Sequence, residues 1–208
     1  MTNPRAGGSA LFTEELLKKR SSLSLSRGTY GFTYYLGVDV ALSKDKKADY
    51  SAFIVIEKDR NHNLKVVKLE RYRGISEKEI KDRIIELHRA FKFRKILIEQ
   101  KGLSYGIVKD LKDSNSEIRG YVMGFDTNKQ NKEELISGIH TALSTGNLTL
   151  LENEILINEL RSFGIKKDKR TGRETYEALG GHDDTVIGLG LSVEAASGAL
   201  GSVSLEII

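Results

Sequence analysis

The chain has 208 residues, of which 39% are hydrophobic and 30% charged, and this composition predicts one folded domain with a buried core. Cysteine is absent, which excludes a disulfide framework and a thiolate metal site. Neither a signal peptide nor a run of about 18 apolar residues is present, so no membrane association is expected. The formal net charge of +4 mildly favours a polyanionic partner.

The N-terminal segment shows no clear core pattern. A short helix is expected after Thr13, and residues 21–31 are rich in serine and glycine, as linkers are. We therefore expect residues 1–32 to be a linker, residues 33–197 to form the domain, and residues 198–208 to form a C-terminal tail.

The domain is expected to begin with an antiparallel meander. Apolar runs rich in β-forming residues predict strands over 34–42, 51–57 and 64–71, joined by short connections. A helix over 76–91 follows, because Ser76 and Glu79 match a capping box and apolar residues recur at helical spacing behind them.

Helices and strands alternate after this meander. The pattern predicts strands over 95–99 and 120–125, a hairpin over 164–178, and helices over 103–111, 131–144, 152–163 and 182–196. This order predicts an α/β fold, with a mixed sheet of three antiparallel strands followed by parallel strands and with helices on both faces. A right-handed crossover would pair the fourth strand parallel to the first and bring their carboxyl ends side by side.

Two acidic residues occupy strand positions that are expected to be buried. Asp39 alternates with Leu36, Val38 and Val40 in the first strand, and burial of its carboxylate is costly unless a cation or hydrogen-bond donors compensate. Glu99 ends the fourth strand, at the edge where α/β sheets bind ligands. Taken singly, Asp39 could instead cap a turn, and Glu99 could be a solvated acid at a strand end.

A third acidic group, Asp183 and Asp184, opens the last predicted helix. An N-cap role explains one of these residues well and two adjacent ones less well. Acids from the first strand, the fourth strand and this helix would then meet at one edge of the sheet. Clustered carboxylates without an opposing arginine bind hard cations, and two such ions can activate a water and stabilise the leaving oxygen of a phosphodiester.

The sequence also resembles a known family, the nuclease domain of the phage terminase large subunit. The resemblance rests on the order and spacing of residues 37–41 (GVDVA), 48–52 (ADYSA), 98–99 (IE) and 182–184 (HDD), and residues 3–17 resemble the segment that joins the family's ATPase to its nuclease. No P-loop motif is present, so the ATPase domain is expected to be missing from this sequence.

The resemblance implies a ribonuclease-H-like fold and a metal-dependent endonuclease that cuts concatemeric double-stranded viral DNA in the host cytoplasm. It implies two Mg²⁺ or Mn²⁺ ions, held by Asp39, Glu99 and the pair Asp183 and Asp184, with the essential member of the pair left open. The implied partners are the ATPase domain, the small terminase subunit and the portal. Auxiliary candidates are Asp49, Lys101 and His182, although a surface lysine and a simple helix-start histidine explain the last two equally well or better.

Basic residues flank the expected site on two segments. They suit contacts to phosphates rather than to bases, although a solvated charged hairpin is the alternative. The candidate DNA-binding residues are Lys44, Lys46, Lys47, Lys166, Lys167, Lys169, Arg170 and Arg173.

Two other functions remain open at this point, and a third lacks the motif that it requires. Another ribonuclease-H-like nuclease, such as a Holliday junction resolvase, would share the acids but prefer branched DNA. A non-catalytic DNA-binding module would use the acids for a structural cation. An actin-like ATPase would need glycine-rich phosphate loops, and the sequence has none.

Overall fold

The structure, a computed structural model, describes residues 10–42, 49–102, 104–114, 117–167, 174–178 and 181–198. The strands in this part of the chain are β1 (Arg20–Ser21), β2 (Thr33–Asp39), β3 (Tyr50–Lys58), β4 (Leu64–Arg73), β5 (Lys95–Gln100), β6 (Val122–Asp126), β7 (Leu148–Leu151), β8 (Phe163–Lys167) and β9 (Glu174–Ala178). The helices are α1 (Glu77–Phe91), α2 (Ser104–Ser114), α3 (Lys129–Ser144), α4 (Glu154–Ser162) and α5 (Asp184–Ser197), and a 3-10 turn spans Leu16–Lys18.

Seven of these strands form one mixed sheet in the order β1-β7-β4-β3-β2-β5-β6. Strands β2, β3 and β4 are the predicted antiparallel meander, and β5 pairs parallel to β2. Strands β8 and β9 form the predicted hairpin. The predicted fold class is therefore confirmed.

The two faces of the sheet are covered by different helices. Helices α1 and α2 pack on the face that carries Leu36 and Val38, whereas α3, α4 and α5 pack on the face that carries Ile54 and Ile56. Because side chains alternate along a strand, Asp39 of β2 points toward the face that α5 covers.

Helix boundaries follow the local capping chemistry. In α1, the Ser76 hydroxyl accepts from the Glu79 amide and the Glu79 carboxylate accepts from the Ser76 amide, which confirms the predicted capping box. Helix α3 begins two residues before its predicted start, because Asn128 accepts hydrogen bonds from the amides of Gln130 and Asn131.

The segment before β2 contributes to the core. Leu11, Phe12 and Leu17 are buried, and β1 adds a short parallel edge to β7. Segment 10–32, which the sequence analysis expected to be a linker, thus packs against the sheet and helices at several points. Among the described residues, no helix combines the length and apolar character needed to cross a membrane.

Candidate metal centre

The site forms where β2, β5 and α5 meet at one edge of the sheet. In the parallel pairing of β2 with β5, Val38 lies opposite Ile98, so Asp39 and Glu99 are the next residues along two adjacent strands. Asp39 is only 8% exposed, and Glu99 is partly buried beside it. The adjacent strand ends expected from the sequence are therefore present.

Helix α5 reaches this edge because two glycines let it approach the sheet. A Cβ atom at Gly37 of β2 would overlap the carbonyl oxygen of Gly188 and the backbone nitrogen of Ser192, and one at Gly188 would lie 3.0 Å from Ile54 Cγ1. Since any larger residue at Gly37 would push the helix outward, glycine is required there. This close crossing places the first turn of α5 beside the end of β2.

Asp39 lies in an environment that disfavours its charge. Burial raises the pKa of its carboxyl well above the ordinary value, the charge of Glu99 and a hydrogen bond with it raise the pKa further, and Asp184 and Asp183 add to the effect. A buried carboxylate surrounded by other acids needs a proton or a cation to offset its charge. The residues therefore fit a bound cation on chemical grounds.

Asp183 and Asp184 are held by different basic residues. Asp183 occupies the N-cap position of α5 without a side-chain capping bond, and instead its carboxylate accepts from Lys132 at 2.7 Å. Asp184 is 4% exposed, and its Oδ2 accepts from Arg71 at 2.9 Å. Burial raises the pKa of Asp184, while the hydrogen bond and charge of Arg71 oppose that rise.

A second group of possible ligands lies next to Asp184. The Nδ1 atom of His182 is 3.1 Å from Asp49 Oδ1 and 3.8 Å from Asp184 Oδ2, and ligand atoms of these three residues lie within 4.8 Å of one another. The Tyr50 ring meets the imidazole edge-on, with centroids 5.2 Å apart. The sequence-predicted auxiliary residues Asp49 and His182 are thus brought together with one of the principal acids.

Two residues that contact the site from other elements were not predicted from the sequence. The acids were expected to form a cluster without an opposing arginine, and this premise was wrong, because Arg71 of β4 pairs with Asp184. The second residue is Lys132 of α3, which pairs with Asp183. Both partners lie far away in the chain, since Arg71 is 113 residues from Asp184 and Lys132 is 51 residues from Asp183. No local spacing rule could therefore have identified them.

The remaining predicted residues are only partly described. Lys101 is exposed just after β5. The backbones of Lys166 and Lys167 lie in β8, whereas their side chains are outside the described part of the structure. The other basic candidates fall outside the described residues altogether: Lys44, Lys46, Lys47, Lys169, Arg170 and Arg173.

The oxygen-rich donor set determines what chemistry this edge could support. Carboxylates suit hard divalent cations such as Mg²⁺ and Mn²⁺, and one imidazole is acceptable to Mn²⁺. Arg71 and Lys132 offset part of the negative charge, whereas within the described part of the chain neither Asp39 nor Glu99 forms a salt bridge with a basic side chain. The arrangement could therefore hold a cation between β2, β5 and α5.

The chain matches the family of terminase RNase H-like domains over residues 36–191. No curated protein matches it.

Solved structures of phage proteins share the fold. The large terminase nuclease from thermophilic phage G20c with bound magnesium is 22% identical, with a TM-score of 0.71 over 89% of this chain and 96% of that one. The large terminase nuclease domain of Thermus phage P74-26 is 23% identical, with a TM-score of 0.64 over 88% of this chain and 94% of that one. The large terminase of bacteriophage HK97 is 11% identical, with a TM-score of 0.60 over 91% of this chain but 44% of that one.

Proposed function

The chain belongs to the family of terminase RNase H-like domains, and from this premise we propose that it is a metal-dependent endonuclease that cuts concatemeric double-stranded viral DNA during genome packaging. The observation that carries the proposal is the burial of Asp39 beside Glu99, Asp183 and Asp184. Such a cluster is costly in a folded protein unless a cation offsets its charge.

In the proposed site, Asp39, Glu99 and the pair Asp183 and Asp184 hold two divalent ions, Mg²⁺ or Mn²⁺. When bound, the two ions would activate a water and stabilise the leaving oxygen of the scissile phosphodiester. The rigid ends of β2 and β5 orient Asp39 and Glu99, and the first turn of α5 presents the aspartate pair. The G20c nuclease has been crystallised with bound magnesium and with bound cobalt, which supports the proposal that this chain also binds a divalent cation.

The two aspartates, Asp183 and Asp184, have different roles in the proposed site. Asp184 is buried and fixed by Arg71, whereas the partly exposed Lys132 side chain can leave Asp183 with little cost. Asp184 therefore contributes a ligand of fixed position, and Asp183 contributes one that must first be released. His182 and Asp49 are auxiliary groups beside Asp184.

We propose that DNA is bound mainly through its phosphates. The basic candidates on segments 44–47 and 166–173 and Lys101 after β5 would supply the positive charge, which predicts cutting with little sequence specificity. We propose on the same basis that the chain acts together with an ATPase domain, the small terminase subunit and the portal, in the host cytoplasm. The proposed domain division is into segments 1–32, 33–197 and 198–208.

Cleavage of supercoiled plasmid tests the proposal. We expect nicking and linearisation in Mg²⁺ or Mn²⁺, no cleavage in EDTA, and loss of cleavage on Asp39→Asn. Asp82→Asn is the matched control, because Asp82 is an exposed carboxylate paired with Lys78 on α1, which covers the face of the sheet opposite to α5. Undiminished cleavage in EDTA, or by the purified Asp39→Asn protein, would overturn the metal-dependent mechanism.

A further inference from the structure

Arg71 is a buried cation in direct contact with a proposed metal ligand. Its Nη2 atom lies 2.9 Å from Asp184 Oδ2, and the two side chains are only 13% and 6% exposed. A guanidinium stays charged at any pH the protein tolerates, so this positive charge is permanent. It lies on the same carboxylate that the proposed function assigns to a divalent cation.

Two further contacts fix the guanidinium in place. Arg71 Nη2 is 3.1 Å from Glu159 Oε1, and the centre of the guanidinium lies 3.5 Å from the Tyr50 ring centroid. The backbone N–H of Tyr50 also donates to Asp184, so one residue holds both partners of the pair. Arg71 therefore has little freedom to turn away from Asp184.

Glu159 completes a closed ring of contacts with α5. Its Oε2 atom accepts from the backbone amide of Thr185 at 2.9 Å and from the Thr185 hydroxyl at 2.5 Å. Thr185 follows Asp184 directly, so the ring runs from Asp184 through Arg71 and Glu159 back to the same helical turn. A shift of Asp184 would disturb contacts with three other elements, namely β3, β4 and α4.

We propose that Arg71 is a positioning residue with a second role, as a built-in counter-charge that limits how strongly the Asp184 side of the site attracts divalent ions. The inference rests on the proposed function, since it concerns the same metal site. Lys132 differs from Arg71 in this respect, because the Lys132–Asp183 pair is 35% and 30% exposed and an incoming ion can displace the ammonium. Arg71 stays in place when ions bind.

This role predicts opposite effects for two neutralising substitutions. Arg71→Gln removes a positive charge next to Asp184 and keeps a hydrogen-bonding side chain, so Mn²⁺ should bind more tightly, by on the order of tenfold. Glu159→Gln removes a negative charge from the same ring, so Mn²⁺ should bind more weakly by a similar factor. A purely structural role would weaken Mn²⁺ binding in both variants, because both would disorder Asp184.

Calorimetric titration of the full chain with Mn²⁺ measures these affinities directly. Arg73→Gln is the matched control, since Arg73 is an exposed residue of the same strand that also contacts the Tyr50 ring, with 4.2 Å between guanidinium and centroid. We expect its Mn²⁺ affinity to change by less than about twofold, because exposed charge is screened by solvent. Arg71→Gln should also lower the turnover of plasmid cleavage, and Arg71→Lys should restore part of it.

The outcomes separate the inference from the proposed function. Absence of Mn²⁺ binding by the unsubstituted chain, or binding unaffected by Asp39→Asn, would overturn the proposed metal site. Binding that weakens in both Arg71→Gln and Glu159→Gln, or changes in neither, would overturn the role of Arg71 alone. If Arg71→Gln does not fold without metal, thermal unfolding with and without Mn²⁺ replaces the titration. Mn²⁺ should then raise the melting temperature of Arg71→Gln by more than it raises that of the unsubstituted chain.

Discussion

Gly37 of β2 lies directly against Gly188 of α5, with no room for a side chain between the strand and the helix carbonyl. Gly37→Ala should therefore displace α5 and destabilise the fold by about 3 kcal/mol, at the upper end of the usual cost of overpacking. Urea unfolding measures this change.

A matched glycine substitution controls for the Gly37 variant. Gly138 lies within α3, and a Cβ atom there would meet nothing within 4 Å. Gly138→Ala should stabilise the protein by about 0.5–1 kcal/mol, since alanine is the better helix former. Equal effects of the two substitutions would show that the close approach of α5 to β2 is unimportant.

In the metal-free protein, ionisation of Asp39 should lower the free energy of unfolding as the pH rises. Its pKa is raised in the folded state, mainly by burial, so the folded protein binds the proton more tightly than the unfolded chain does. Stability is therefore lost as the pH rises above the unfolded value of 3.8 toward the folded pKa. Asp39→Asn removes this loss.

Unfolding in urea and chelator across a pH series tests the Asp39 prediction. Asp39→Asn should be more stable than the unsubstituted chain at neutral pH, and the difference should shrink as the pH falls toward 3.8. Addition of Mn²⁺ should reverse the order, because only the unsubstituted chain retains the full ligand set. An Asp39→Asn protein that is less stable by the same amount at every pH would contradict the prediction.

Lys132 should compete with divalent ions for Asp183. Because the pair is partly exposed, Lys132→Met should change the free energy of unfolding by less than about 1 kcal/mol. Mn²⁺ should nevertheless bind several-fold more tightly, since Asp183 no longer has to be released. Lys129→Met, at the exposed start of the same helix, serves as the control. Weaker Mn²⁺ binding by Lys132→Met would mean that the lysine orients Asp183 rather than competing for it.

The basic hairpin between β8 and β9 should contribute to DNA affinity by charge alone. Neutralising Lys167, Lys169 and Arg170 together should weaken binding equally for all sequences and flatten the salt dependence by roughly one unit per lost phosphate contact. Fluorescence anisotropy at several salt concentrations measures both effects. Neutralising Lys109 and Lys112 of α2, on the other face of the sheet, should change neither.

Cleavage assays on the same triple variant separate two roles of the hairpin. A DNA-binding hairpin predicts slower cleavage at low DNA concentration, whereas an inhibitory flap predicts faster cleavage on its removal. Unchanged binding, salt slope and rate would show that the hairpin is a solvated surface. A panel of linear, branched and hybrid substrates would, in the same assay, distinguish a packaging nuclease from a junction resolvase.

Sequence reasoning predicted most of the fold because the longer elements carry strong patterns. The alternation in β2 to β5 and the capping box of α1 identified these elements within a few residues. Strands β1 and β7 were missed, because two and four residues are too few for alternation to be recognised. Leu11, Phe12 and Leu17 were missed for a similar reason, since isolated apolar residues show no period.

The site was less accessible to sequence reasoning than the fold. The acids could be identified because each occupies an unusual place in a predicted element, and strand topology then brings Asp39 and Glu99 together. Arg71, Lys132 and Glu159 have ordinary places on strands and helices, and only tertiary packing brings them to the aspartate pair. Long-range ion pairs of this kind leave no local pattern in a single sequence.

The most direct test of the proposed metal centre is a crystal structure of the chain soaked in Mn²⁺, with anomalous scattering used to locate the ions. We expect anomalous peaks within coordination distance of Asp39 and Glu99 and of at least one of Asp183 and Asp184, with Arg71 still bonded to Asp184. Absence of any peak at this edge of the sheet at saturating Mn²⁺, or a peak held by Asp49 and His182 alone, would contradict it.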